Sequence, residues 1–185
     1  DVSPLELPTD YPRPAVQGTR GGRLSFDLGK EEKAALLRMG KERGATLFMT
    51  LLSVFKVLLY RYSGQADICV GTPVANREEV ALEGLQGFFL NNVAVRTKLD
   101  GGWSFEELLG EVKGSCLSSF SHQMVPFEQV VERVVAERDR SRSPIFQVVF
   151  VLHNEPASAK IEVDNLSFEV TDHNVISAKY DLLFS

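Results

Sequence analysis

Between Leu47 and Tyr62 the chain carries its longest apolar run, and that run limits what the rest can be. Leu47, Phe48, Leu51, Leu52, Phe55, Leu58, Leu59 and Tyr62 fall at helical spacing but cover more than one face. A helix that is apolar on several sides has to be surrounded, so the spacing predicts a central buried helix. Thr50, Ser53, Lys56 and Arg61 interrupt the run, which therefore reads as a core helix and not a membrane span. Thr46 can cap its start and Gly64 can end it. A chain of 185 residues is long enough to enclose such a helix, since a domain of this size buries roughly 70% of its unfolded surface.

The flanking pattern supplies the enclosing elements. Residues 30–43 are good helix formers with acidic residues early, Lys41 and Arg43 late and Gly44 as a stop. Ser104 and Glu107 form a capping box, and Phe105, Leu108, Leu109, Val112, Cys116 and Phe120 then predict a helix to about Ser121. Pro126 can open a short helix over 127–136. Strands are expected at 23–28, 67–75, 88–99, 145–153, 161–172 and 180–185, with a charged loop at 76–86 and a turn at 157–160. Pro4, Pro8, Pro12 and Pro14 keep residues 1–20 out of any helix or central strand, so that segment reads as an extended arm or linker. Helices and strands mix without strict βα alternation, which points to an α+β sheet with helices on one face.

Composition excludes several function classes. A formal net charge of -5 argues against a general nucleic-acid binder. Cys69 and Cys116 form no CxxC and suggest no disulfide framework, which fits a reducing, cytosolic setting. No secretory leader pattern opens the chain. Walker A, GxGxxG and GxSxG signatures are absent. His153-Asn154-Glu155 gives HxE, but no PCxxC follows, so a zinc deaminase is excluded. None of His122, His153 and His173 begins an HxxxD pattern. No catalytic residue, metal ligand or cofactor site is assigned.

Two stretches hold unusual polarity. In Gly84–Arg96, an apolar strand carries Asn91-Asn92, which point to opposite faces if the strand is regular. One amide then faces a core or a cavity, where it either satisfies backbone groups or lines a ligand path. The second stretch runs from His122 through Pro126-Phe127-Glu128 and an Arg-rich segment to Pro144. Glu128 suits a helix N-terminus, or it fixes a loop beside a channel. Arg133, Arg138, Arg140 and Arg142 alternate with acids, as on a solvated salt-bridged face or, alternatively, a phosphate-recognising one.

These stretches resemble the second half of a nonribosomal peptide synthetase condensation domain over essentially the whole chain. Leu7–Pro14 resembles the family's LPTDRPRP linker, Ala45–Met49 the start of its long helix, and Val70–Arg77 the segment VGTPVAGR, with Asn76 for Gly. Gly87–Arg96 resembles the fifth core motif, GFFVNT and an Arg, with Asn91 at the motif Asn and Asn92 for Thr. His122–Glu128 resembles the sixth, HQDxPFE, with Met124 for Asp. Arg138–Ile145 resembles the seventh, RDxSRNPL, with Ser143 for Asn.

The resemblance implies a chloramphenicol acetyltransferase-like half-domain over 21–185, with a mixed, largely antiparallel sheet and helices packed on one face. It implies amide formation between a donor acyl thioester and an acceptor aminoacyl thioester, both carried on phosphopantetheine arms. The implied partners are an N-terminal condensation subdomain, donor and acceptor peptidyl carrier proteins and a neighbouring adenylation domain. The family's HHxxxDG motif is not in this sequence, so the chain alone is expected to be inactive. Its implied contribution is channel lining and carrier docking. Asn91 is the first candidate for the channel, Arg77 for a crossover or floor segment, and Gln123, Pro126, Phe127 and Glu128 for the acceptor side. Half of an epimerisation or cyclisation domain, or a non-catalytic carrier-docking module, are the alternatives.

Overall fold

The computed structural model describes residues 2–77, 79–153, 160–163, 166–169 and 177–185. In chain order the elements are α1 (Lys30–Glu42), α2 (Leu47–Ser63), β1 (Asp67–Val74), α3 (Val80–Glu83), β2 (Asn91–Lys98), α4 (Phe105–Phe120), α5 (Phe127–Val134), β3 (Val148–Phe150), β4 (Lys160–Val163), β5 (Leu166–Glu169) and β6 (Leu182–Phe184). No single described helix is long and apolar enough to cross a membrane.

Four strands form one sheet in the order β2-β1-β3-β6. β1 and β2 pair antiparallel in continuous register from Asp67↔Lys98 to Val74↔Asn91. β3 joins β1 in parallel at Gly71↔Val149, and β6 joins β3 in parallel from Val148↔Leu182 to Phe150↔Phe184. β4 and β5 form a separate antiparallel hairpin. The sheet is mixed and the longest ladder is antiparallel, in line with the α+β architecture that the resemblance implies.

Strand alternation divides the core in two. Ile68, Val70, Val95, Val148 and Phe150 face α2 and α4, where they meet Leu52, Phe55, Leu59, Leu109, Val112 and Cys116. Cys69, Val149 and Ala94 face the other side with Phe146, Phe127 and Tyr180. The two long helices thus share one face, and α5 reaches the second cluster through Phe127. Gly71 is required here, because a Cβ would lie 2.2 Å from the Phe146 ring. Each core helix is terminated as its sequence predicts. The Thr46 hydroxyl accepts from Met49 N at 3.2 Å, Gly64 ends α2 with φ 68°, and Ser104 and Glu107 close a reciprocal capping box on α4. The outer edge of β2 is covered by α4, where Ser119 Oγ donates to Ala94 O at 3.1 Å and Thr97 Oγ1 to Ser115 Oγ at 3.2 Å.

Four strand expectations change. Residues 23–28 alternate as predicted but form no strand: Leu24 is 88% exposed, Phe26 62% and Leu28 55%. Alternation alone gives no ladder without a neighbouring strand to pair with. The strand expected from 88 begins at Asn91, and that expected from 145 begins at Val148, because Ile145 adopts φ 65°, outside the β region. The strand expected over 161–172 is the hairpin of β4 and β5. Residues 164–165 and 170–172 lie outside the described residues, as do 154–159, which include most of the expected turn at 157–160.

The proline-rich arm is extended and laid against the body. Leu5 is 4% exposed within the main core, and its N–H donates to Gln147 Oε1 at 2.8 Å. Further on, Gln17 N donates to Arg140 O at 2.9 Å and Ala178 N to Thr19 O at 2.8 Å.

Candidate functional site

Asn91 opens β2, opposite Val74, on the face it shares with the buried Val93 and Val95. Its side chain reaches the connection between α4 and α5. Nδ2 donates to Gln123 O at 2.7 Å and to Val125 O at 2.8 Å, and Oδ1 accepts from Phe127 N at 3.1 Å. Of the two alternatives left open by the sequence, the amide satisfies backbone groups. Asn92 faces the other way, half-buried, opposite Pro73.

The same contacts gather most of the candidate residues. Gln123 is half-buried in the connection, and Pro126 occupies the position before the first turn of α5. The Phe127 ring lies 5.1 Å from that of Phe146, which is followed by Tyr180 at 6.0 Å. Glu128 is exposed in the first turn of α5. Arg77 stands apart, at the start of the long connection between β1 and β2. Its guanidinium lies 4.1 Å over the Phe89 ring and donates to Leu82 O, so it folds that connection back on itself. Asn76 holds φ 53°, a conformation for which asparagine is among the best-tolerated residues after glycine. This accounts for an Asn at the family's Gly.

A second knot joins the first and last motifs. Arg13 donates to both carboxylate oxygens of Asp181 and to Ser141 O. Arg142 pairs with Glu6 at 2.7 Å and with Asp139 at 2.9 Å. The Asp139 carboxyl is held below the usual range, chiefly by its hydrogen bonds from Ser141, with Arg142 adding to the effect. The Arg-rich segment is thus a salt-bridged face at Arg142, while Arg133, Arg138 and Arg140 are exposed.

Lys56 is a buried charge inside the core that the sequence showed only as a break in the apolar run. It is fully buried, and Nζ donates to Val95 O at 2.8 Å and Ile68 O at 3.1 Å, bridging α2 to both strands of the long ladder. Burial lowers its pKa to about 8, against a smaller opposing influence of Cys69, Cys116 and Asp67. Burial also raises each of the two thiols to about 11, and both are free. The signal was present in the sequence, since position 56 is four after Leu52 and three before Leu59 on the inner face.

Two of the histidines have described positions, and both are exposed. His122 Nδ1 contacts Ser118 O and Ser121 Oγ at 2.9 and 3.0 Å. His173 lies outside the described residues. Among those described, no group of three or more His, Cys, Asp or Glu could hold a metal ion. A cleft of about 220 Å³ between the end of α2 and the turn at Trp103 contains none of the candidate residues.

The family model "Condensation domain" matches residues 2–185. A linear gramicidin synthase of Brevibacillus parabrevis is 48% identical over 180 residues, which is 96% of this chain and 2% of that protein. The chain therefore spans a small fraction of such a relative's length. A holo four-domain nonribosomal peptide synthetase bound to AMP and glycine superposes with a TM-score of 0.88 at 28% identity, over 98% of this chain and 15% of that one. The X-domain in complex with OxyB from teicoplanin biosynthesis gives a TM-score of 0.75 at 28% identity, over 80% of this chain and 32% of that one.

Proposed function

The chain belongs to the condensation-domain family, and from that premise we propose that it is the half of a condensation domain that supplies channel walls and carrier docking, not the catalytic histidine. Joining an acyl thioester to an amine requires a group that manages the amine proton, a site for the developing oxyanion, and two substrates held in place. This half contributes to the last of these. The observation that carries the reading is the convergence of the fifth and sixth motifs, which Asn91 ties together through Gln123, Val125 and Phe127. Around that tie lie the exposed apolar side chains of Phe88, Leu90, Met124 and Val125, a surface suited to a partner or substrate.

The proposed partners are an N-terminal subdomain bearing HHxxxDG, two peptidyl carrier proteins with their phosphopantetheine arms and a neighbouring adenylation domain, in the cytoplasm. The test is to join the chain to such a subdomain, load a donor carrier with an acyl thioester and an acceptor carrier with an aminoacyl thioester, and measure amide product by mass spectrometry. Product from the joined protein and none from the chain alone is the expected outcome. Tight carrier binding without product supports a docking module instead. That second reading is favoured by one similar structure being a complex with another protein, OxyB.

A further inference from the structure

The cleft between the end of α2 and the turn at Trp103 has a lining that the condensation reading does not use. One wall is the last turns of α2, with Tyr60 and Arg61, stopped at Gly64. The other is the turn 99–103 and the start of α4, with Asp100, Trp103, Phe105 and Leu108. Backbone bonds fix the turn: Leu99 N donates to Ala66 O at 2.7 Å, Trp103 N to Asp100 O at 3.1 Å and Gly102 N to Asp100 Oδ1 at 2.8 Å. Gly101 lets the turn close on α2, since a Cβ there would lie 2.8 Å from Tyr60 Oη. The cleft follows the end of β2 opposite to Asn91, and the strand between them has eight residues, a length of about 23 Å.

Its polar side chains are unspent. Arg61 and Asp100 carry opposite charges in one cleft, yet neither forms an ion pair with the other or with any other described residue. Among the described residues the Tyr60 hydroxyl and the Trp103 indole N–H also have no partner. Ser104, by contrast, is committed to Glu107 through both its N–H and its hydroxyl. The open groups are therefore one cation, one anion and two neutral donors, set among aromatic rings and Leu108. The volume of about 220 Å³ lies below the roughly 300–1,000 Å³ of drug-sized sites, so the occupant is small. We propose that this cleft binds a free apolar α-amino acid, with its carboxylate on Arg61, its ammonium on Asp100 and its side chain against Trp103 and Phe105. Gly102 N takes only Oδ1 of Asp100, which leaves Oδ2 for the ammonium. An apolar acid without the ammonium meets the charge of Asp100 uncompensated, and an apolar amine without the carboxylate meets that of Arg61. The inference is independent of the condensation reading.

Trp103 is the only tryptophan of the chain, so its indole N–H gives a single resonance that reports on the cleft. In a titration of the 185-residue chain followed by proton–nitrogen correlation spectra, L-phenylalanine is expected to shift that resonance saturably. Hydrocinnamate, which lacks the ammonium, and phenethylamine, which lacks the carboxylate, should each bind about tenfold more weakly. Arg61→Gln and Asp100→Asn should each weaken L-phenylalanine by about tenfold while the resonances of the core stay in place. Asp100→Asn should also narrow the gap to hydrocinnamate, and Arg61→Gln the gap to phenethylamine, because each removes the charge that opposes that ligand. Absence of a saturable shift overturns the site. Equal binding of the three ligands overturns the amino-acid assignment, and unchanged affinity in both variants overturns the roles of Arg61 and Asp100.

Discussion

Arg13 and Asp181 stand 168 positions apart in the chain and meet in a two-pronged ion pair, with side-chain exposures of 23% and 16%. The pair fastens the arm to the segment that leads into β6, and Arg13 also holds Ser141 O at 3.2 Å. Asp181→Asn removes the charge but keeps the shape. The expected loss is about 1–2 kcal/mol, between that of an exposed pair and that of a buried one. Urea unfolding of the single and double variants with Arg13→Gln measures the coupling directly. Independent, additive effects would show that the two side chains do not act together.

Lys56 makes stability depend on alkaline pH. Its folded pKa of about 8 lies below its ordinary 10.5, so above pH 8 the unfolded chain holds more protons and stability rises with pH. The buried thiols act oppositely. Raised from 9.0 to about 11, they stay protonated in the fold while the unfolded chain ionises, so stability falls above pH 9. Between pH 8 and 9 the rise from the lysine is progressively offset by the two thiols ionising in the unfolded chain, so the net slope is only on the order of a few tenths of a kcal/mol per pH unit and vanishes near pH 9. Lys56→Met should abolish the rise in a thermal melt series across that window. A rise that survives the substitution assigns it to another group.

Gly71→Ala is expected to cost about 1–3 kcal/mol, since the added methyl must displace a buried aromatic ring and not a flexible side chain. Phe146 is 1% exposed and packed against Phe127 and Tyr180, so it has nowhere to move. Denaturant midpoints measure the cost. Neutrality would mean that the second cluster packs loosely.

Ser104→Ala removes the hydroxyl that accepts from Glu107 N and donates to its carboxylate, keeps the bond from the backbone N–H of residue 104, and should cost about 1 kcal/mol. The Glu107 carboxyl is held below its usual range by the backbone and hydroxyl of Ser104. Part of the stabilisation should therefore disappear as the pH falls through that lowered folded pKa, and a pH titration of the two proteins' stabilities compares them. Parallel curves would mean that the Ser104 hydroxyl does not act on the Glu107 carboxyl.

What could be read from the residues was whatever a single element determines for itself. The apolar spacing of α2 and α4, the caps at Thr46 and Ser104 and the stop at Gly64 are local, and each is where the pattern predicts it. Features that depend on a distant partner were harder to see. Leu24, Phe26 and Leu28 alternate like a strand but have no ladder. Ile145 looks apolar and extended, but its backbone turns. Asn91 stood out as an amide in an apolar strand, although no pattern could name Gln123, Val125 and Phe127 as its partners, because those bonds arise only when the strand and the connection are brought together. Lys56 read as a break in an apolar run, and only the two strand carbonyls above it explain why a charge is kept there.

The docking of the arm bears on how such proteins are recombined. Leu5 contributes to the main core, Glu6 pairs with Arg142 and Arg13 with Asp181. A splice made at the glycines 21–22, where the first predicted strand begins, would separate Leu5 from the interior it fills and divide both ion pairs between two parents. A crossover point that moves the whole of residues 2–20 together with the body transfers a self-consistent unit, which makes the arm part of the exchangeable cassette and not the seam between cassettes.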